Sequence, residues 1–408
     1  MTRLPHRPLL ATLTAAGLCA LLVVFVPAAL AEKYSDVTKK CWAYDAITAV
    51  TERGPEGHKV LDDYGDEFKP EEPITRELLA RSLALASGHY GEHPKEVAVK
   101  DMQETDRYWD VVQLALRYGY MKLDAQGEFR PQEPVPAYQA EAAVVRWLQD
   151  KYDSADWSLL KTLRAADWEP NEGWKPDVPV YLPYVVAARQ LELRYNHPSG
   201  EDDHETLPTE AIDRAEVAYM FERAFAVGRG WQLYGLADYQ KVAFPVLSDR
   251  QKQIVSFALK FIGYPYVWAG EYPTKNSPYG TQASGGFDCS GFVFYVMKMH
   301  FEYPVTVNER GAHDMAERAK PRIKRKDLLP GDPIFFGPKG PRSKVESIYH
   351  AGLYLGNGWF IHSTGSSDGV TLSSLDASDY YKKYFAWGRR LLTPEELPPA
   401  PDPDPSTP

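Results

Sequence analysis

Cysteine is scarce, with three in 408 residues. That excludes a disulfide-stapled scaffold and a four-thiolate zinc site. Positive charge is in deficit, with 46 Lys and Arg against 56 Asp and Glu and a net charge of −10. A nucleic-acid binder carries a basic footprint, so that partner class is set aside, although a local basic groove stays compatible with the balance. Beyond residue 31 no run of about 20 apolar residues occurs, so nothing downstream reads as a transmembrane helix. Apolar material is plentiful, at 44% hydrophobic and 13% aromatic. At about 150 residues per domain, the length suggests about two to four domains with real cores.

The first residues read as an address. Arg3, His6 and Arg7 precede an apolar run from Leu9 to Leu30 that ends Ala29-Leu30-Ala31. This is the pattern of a secretory signal peptide over residues 1–31, cut between Ala31 and Glu32. It implies a secreted protein of the cell wall or cell surface. An uncleaved anchor is the alternative, since the run is nearly long enough to span. Cys19 follows Leu18, where a lipoprotein signal needs a small residue. Cleavage leaves Cys41 and Cys289, which could pair in principle. Cys41, beside Trp42, reads instead as a small buried hydrophobe.

One phrase then recurs three times. The first copy has Trp42, Ala46, Ile47 and Val50 at helical spacing, then Gly65, Phe68 and Pro70, then Ile74-Thr75-Arg76-Glu77. The second has Trp109, Val112 and Leu116, then Gly127, Phe129 and Pro131, then a helix from Val135 to Leu148. The third has Val185, Ala188 and Leu191, a polar insertion, and a restart at Ile212-Asp213-Arg214-Ala215-Glu216. Each unit is a helix, a Gly-Phe-Pro loop, and a second helix with an N-cap signal such as Thr75 or Asp213. A lone pair cannot bury its own stripes, so the copies must pack together.

This phrase resembles the S-layer homology (SLH) repeat. The resemblance implies a compact all-α unit of three repeats, over residues 32–90, 91–155 and 156–230, that binds an anionic secondary cell-wall polymer. Arg76 and Arg214 match the family's polymer-binding Arg. The second copy, Pro136-Ala137-Tyr138-Gln139, has none. An Arg at a helix start suits a carboxylate or phosphate, and an ordinary exposed helix-start residue is the competing reading. Residues 231–247 read as a linker.

The texture changes at Ser248. A helical stretch and an aromatic turn, Tyr264-Pro265-Tyr266-Val267-Trp268, lead to Phe287-Asp288-Cys289-Ser290-Gly291 and an apolar helix reaching about Met299. Cys289 thus sits at a helix start, where positive backbone charge favours a thiolate. His350-Ala351-Gly352-Leu353-Tyr354-Leu355 alternates as a strand, turns at Gly356-Asn357-Gly358, and returns to His362. If the loop has three residues, both His share one sheet face, diagonal to each other. A two-residue loop would separate them. Cys289, His350 and His362 then suggest a thiol nucleophile, its base, and the residue that orients the base. A metal held by the same three residues is the rival, but no further ligand completes it, so no metal or organic cofactor is expected. His300 and His313 read as surface residues.

This domain resembles the NlpC-type family of cell-wall cysteine peptidases. The matching pieces are Pro265-Tyr266-Val267-Trp268, Phe287-Asp288-Cys289-Ser290-Gly291, Leu329-Pro330-Gly331-Asp332, His350 through Gly358, Phe360-Ile361-His362 and Trp387-Gly388-Arg389-Arg390. The resemblance implies a papain-like α+β fold with an antiparallel sheet over residues 248–392. It implies nucleophile Cys289, base His350 and third member His362, with Tyr266 beside the oxyanion site. Asp288 and Ser290 would lie near the substrate's amine end, although Asp288 could simply cap its helix. The substrate would be peptidoglycan, cut in its stem peptides between D-glutamate and a diamino acid. Ala269 departs from the family's usual Gly. Residues 393–408 are Pro- and Asp-rich and read as a disordered tail. Two rivals stand beside this reading: a cell-wall scaffold with an idle triad, and a Cys-His amidase or acyltransferase.

Overall fold

The computed structural model describes residues 33–163, 171, 173, 174, 176–229, 232–305 and 310–398. The expected signal peptide, with Cys19, and residues 399–408 of the expected tail lie outside the described residues.

Six longer helices build the N-terminal half among the described residues: α1 (Tyr44–Glu52), α2 (Arg76–Ser87), α3 (Trp109–Arg117), α4 (Ala137–Lys151), α5 (Leu182–Gln190) and α6 (Arg214–Ala226). The packing is cyclic: α2 lies on α3, α4 on α5, and α6 returns to α1. The segments entering α2, α4 and α6 meet in a closed ring of backbone hydrogen bonds. Ile74 N–H donates to Ile212 (3.0 Å), Ile212 to Val135 (2.9 Å), and Val135 to Ile74 (3.0 Å).

Each of these helices has its first N–H groups satisfied by a loop of the next unit. Arg76 and Glu77 donate to Glu133 and Pro131 carbonyls, Ala137 and Tyr138 to Glu210 and Pro208, and Arg214 and Ala215 to Glu72 and Pro70. Orphan helix donors need such partners. Asp213 also caps α6 through Glu216 N–H, as its sequence suggests. Thr75 occupies the cap position of α2, but its hydroxyl makes no capping bond.

The two arginines at the helix starts hold neighbouring loops, and Arg214 is closed off from the role expected of it. Arg214 is 1% exposed. Its guanidinium stacks on Phe68 and donates to the carbonyls of Phe68 and Asp62. Arg76 does the same one unit on, stacking on Phe129 and donating to Phe129 and Lys122 carbonyls and to Gln139 Oε1. Arg214 therefore staples loops and presents nothing to an external anion. Arg76 keeps an open edge.

The segment read as a linker is packed. Leu236, Tyr239, Val242, Phe244 and Leu247 are buried, and one apolar core runs from the helices into the C-terminal sheet. The first part of the expected tail is also folded, since Thr393 and Glu396 form a capping box and Glu396 accepts from Tyr303. Cys41 and Cys289 are both free thiols, and Cys41 is partly buried against the core.

In the C-terminal half, α7 (Asp249–Leu259) starts on a Ser248–Gln251 capping box. Helix α8 (Cys289–Phe294) continues as a π turn to His300. Five antiparallel strands follow: β1 (Pro333–Phe336), β2 (His350–Gly356), β3 (Trp359–Thr364), β4 (Gly369–Ser374) and β5 (Phe385–Gly388), in the order β4-β3-β2-β1-β5. Helix α8 packs on β2 and β3. This is the expected papain-like α+β arrangement of helix and antiparallel sheet.

A buried charge network joins the halves. Arg189 of α5 donates to Asp368 Oδ2 (2.7 Å) and to the Gly263 carbonyl (2.7 Å). Arg194 reaches Glu141 (3.2 Å), Glu216 (3.2 Å) and Asp368 (3.9 Å), and His197 meets Glu216 at 3.0 Å. Among the described residues, no helix is long and apolar enough to cross a membrane.

Candidate active site

Cys289 is the first residue of α8, and Asp288 is its N-cap, accepting from Gly291 N–H at 2.6 Å. Gly291 lets the helix start press on the preceding turn, because a Cβ there would lie 1.9 Å from the Gly270 carbonyl oxygen. The Ala351 amide donates toward the Cys289 sulfur, so the thiol sits beside the start of β2. Tyr266 is drawn in by a backbone bridge to Phe287, close enough for Cys289 to help raise its pKa after burial, the larger cause.

The histidines meet through a register the sequence did not disclose. The turn has two residues, Asn357 and Gly358, both with positive φ. Such a loop alone would put the two His on opposite faces. A bulge between Tyr354 and Gly356 restores the parity, so Leu353 pairs with Ile361 and Tyr354 with Phe360. Gly356 takes φ +109°, where an L side chain is strained. His350 and His362 then share a face, with Nε2 of His350 2.8 Å from Nδ1 of His362. Gly352 lies beneath them, where a Cβ would come within 3.2 Å of His362 Cβ.

The chain of polar contacts continues. His362 Nε2 lies 2.9 Å from Ser373 Oγ on β4. His350 Nε2 is taken, so Nδ1 is the nitrogen left for a thiol. His362 must then accept at Nδ1 and donate from Nε2 to Ser373, which fixes its tautomer. Nothing local in the sequence marks Ser373.

Burial governs the titration. It depresses His350 to about 4 and His362 well below the usual imidazole value. It raises the Cys289 thiol to about 12, and Asp288 adds to the rise. Burial thus works against the thiolate that the helix start favours. A six-residue helix does not outweigh burial next to a carboxylate.

Asp288 and Ser290 are engaged inside the protein. Ser290 donates to Asp288 at 2.9 Å. Arg310, which sequence reasoning missed, donates to both Asp288 oxygens at 3.1 and 2.8 Å and pairs with Glu271 at 3.3 Å. Asp288 thus serves the helix start. Ala269 has φ +58°, in the left-handed region that favours glycine. His300 stacks on Phe257 and His313 pairs with Asp314, both away from the site. Among the described residues no His, Cys, Asp or Glu cluster could hold a metal.

Residues 263–390 match the NlpC/P60 family, and residues 100–135 match the S-layer homology domain. Residues 263–390 are an NlpC/P60 domain. The murein DD-endopeptidase MepH of Escherichia coli K12 is 33% identical over 168 residues, 39% of this chain and 55% of that protein. The gamma-DL-glutamyl hydrolase of Bacillus subtilis 168 is 33% identical over 34% of this chain and 29% of that protein. The bifunctional muramidase/DL-endopeptidase CwlT of the same strain is 29% identical over 43% of this chain and 51% of that protein. The chain thus spans about half or less of these relatives' lengths, and the likeness covers the NlpC/P60 domain.

Proposed function

We propose that the chain is a secreted peptidoglycan hydrolase that cuts stem-peptide amide bonds, the D-glutamyl–diamino acid bond foremost, by thiol catalysis. The supporting observation is the 2.8 Å contact between His350 and His362 with Cys289 beside β2. Cys289 Sγ attacks the amide carbonyl carbon as its proton passes to His350 Nδ1. The carbonyl oxygen takes the electron pair, with the α8 N-terminus and the Tyr266 phenol nearby to stabilise it. The C–N bond then breaks, and His350 returns the proton to the leaving amine. Water, deprotonated by His350, cleaves the thioester and restores the thiol. His362, held by Ser373, orients His350 throughout.

The pH profile follows from burial. His350 must be neutral to act as base, and its pKa is near 4. Activity lost by protonation therefore disappears as pH falls through about 4, not through the unperturbed value of about 6.5. A kcat/KM profile with its acid limb near 4 is expected. An acid limb near 6.5 would mean that a solvated imidazole is the base.

In this proposal the three helical units are SLH repeats that tether the enzyme. Their candidate polymer site is a cleft of about 410 Å³ lined by Arg76, Lys122 and Tyr138, and by Arg130, which pairs there with Asp124, Glu128 and Glu133. Holding the enzyme at the wall raises the effective substrate concentration. Mass spectrometry of fragments released from purified murein tests the proposed bond. Fragments ending in D-glutamate support it. Intact stem peptides freed from the sugar would show an amidase.

A further inference from the structure

The segment that carries Tyr266 is gripped on two sides. Its inner side pairs with the chain leading to Cys289. Phe287 N–H donates to the Pro265 carbonyl at 3.2 Å, and Val267 N–H to the Phe287 carbonyl at 3.3 Å. Its outer side meets the third helical unit, outside the NlpC/P60 domain. At one end the Gly263 carbonyl accepts from Arg189 of α5 at 2.7 Å, and a Cβ on Gly263 would lie 2.6 Å from Val185 Cγ1. At the other end Trp268 N–H donates to Asp202 Oδ1 at 2.9 Å. Asp202 belongs to the polar insertion of the third unit. In the same insertion the Glu205 carbonyl accepts from Ser284 Oγ at 3.2 Å.

Asp202 is 4% exposed, and its other oxygen accepts from Gly200 N–H at 3.0 Å, which fixes the carboxylate in its own loop. The turn it meets is strained. Gly270 N–H donates to the Val267 carbonyl at 2.9 Å and closes residues 267–270, and Ala269 inside that turn has φ +58°, a conformation that costs an L residue. The Trp268 side chain is 64% exposed and packs too little to hold the turn itself. Burial first, then the charges of Cys289, Asp288 and Asp202, keeps the Tyr266 phenol protonated. That is the form that can donate to an oxyanion.

We propose that Asp202 is a positioning residue for the reaction: by holding the Trp268 amide it fixes the turn that sets the Tyr266 phenol against the oxyanion. The inference rests on the peptidase reading and deepens it, because the third helical unit then shapes the site as well as tethering the enzyme. Asp202 itself touches no reacting atom. Without it the Trp268 amide loses its acceptor and the strained turn its outer anchor. Tyr266, two residues before Trp268, then loses its fixed place beside Cys289. An oxyanion donor works only at about 2.7–3.1 Å from the developing charge, so a small displacement removes its effect.

The test is a double-mutant cycle on the full chain, with kcat and KM measured on a soluble stem peptide. Tyr266→Phe should lower kcat by about 10²-fold, the usual loss of an oxyanion donor. Asp202→Ala should lower kcat by about tenfold or more and leave KM nearly unchanged. The double variant should fall no more than about twofold below Tyr266→Phe, because the phenol that Asp202 positions is already gone. Asp202→Asn keeps an oxygen for the Trp268 amide and should stay within about threefold of the parent kcat. That variant decides the matter if the alanine variant does not fold, since a loss of about tenfold in it would overturn the role of the bond. Multiplied losses in the double variant, an unchanged kcat in Asp202→Ala, or an effect confined to KM would overturn the positioning role while leaving the peptidase intact. No turnover by the parent chain would overturn both.

Discussion

Cys289→Ala is expected to lower release of peptides from purified murein by about 10⁴-fold or more. Removing the nucleophile of a triad leaves only binding and oxyanion stabilisation, and residual rates in such systems fall by several orders of magnitude. His350→Ala should cost about as much, because thiol and imidazole act as one unit and their losses do not add. Here burial raises the thiol pKa and so increases its dependence on a base. His362→Ala should cost less, since it positions His350 and does not touch the carbonyl. Undiminished peptide release by Cys289→Ala would leave a wall-binding scaffold with an idle triad.

Asp368→Ala is expected to destabilise the chain by about 3–5 kcal/mol, the usual cost of removing one partner from a buried charge pair. Asp368 is 1% exposed, and its carboxylate faces Arg189 at 2.7 Å and Arg194 at 3.9 Å. Without it both guanidinium groups lose a counter-ion at the junction of the two halves. The measurement is urea unfolding of the full chain followed by far-UV circular dichroism, with the midpoint shifted strongly down. A double replacement, Asp368→Ala with Arg189→Met, should recover part of the loss, since apolar groups of similar volume substitute well for buried pairs. An unchanged midpoint for Asp368→Ala would show that the apolar core alone joins the halves.

Much of the C-terminal half was legible because its signals are local. Asp288 preceding Cys289 marks a helix start, and alternation from His350 marks a strand. The parity of the hairpin was not legible. Gly356-Asn357-Gly358 admits either loop length, and the bulge that decides it depends on packing of the hairpin tip against Pro245, which lies within 2.2 Å of a Cβ built at Gly356. Arg310 and Ser373 reach the site through tertiary neighbours and leave no spacing to read. The burial that opposes ionisation of Cys289 was not legible, because helix charge is visible in sequence and burial is not.

The helical half shows the same division. Apolar spacing placed its six longer helices, but the role of Arg214 depended on a loop almost 150 residues away, whose Phe68 carbonyl it bonds. An Arg at a helix start looks exposed until a neighbouring unit closes over it. The supposed linker failed for a related reason: residues such as Leu236 and Tyr239 bury themselves only once the sheet edge is present.

The most direct test is acid quenching of the full chain during turnover of a soluble stem peptide, followed by mass spectrometry of the digested protein. Covalent catalysis predicts an acyl group on the peptide containing Cys289, absent from Cys289→Ala and short-lived in the wild type. Full turnover with no adduct on Cys289 at any quench time, together with wild-type rates in Cys289→Ala, would contradict it.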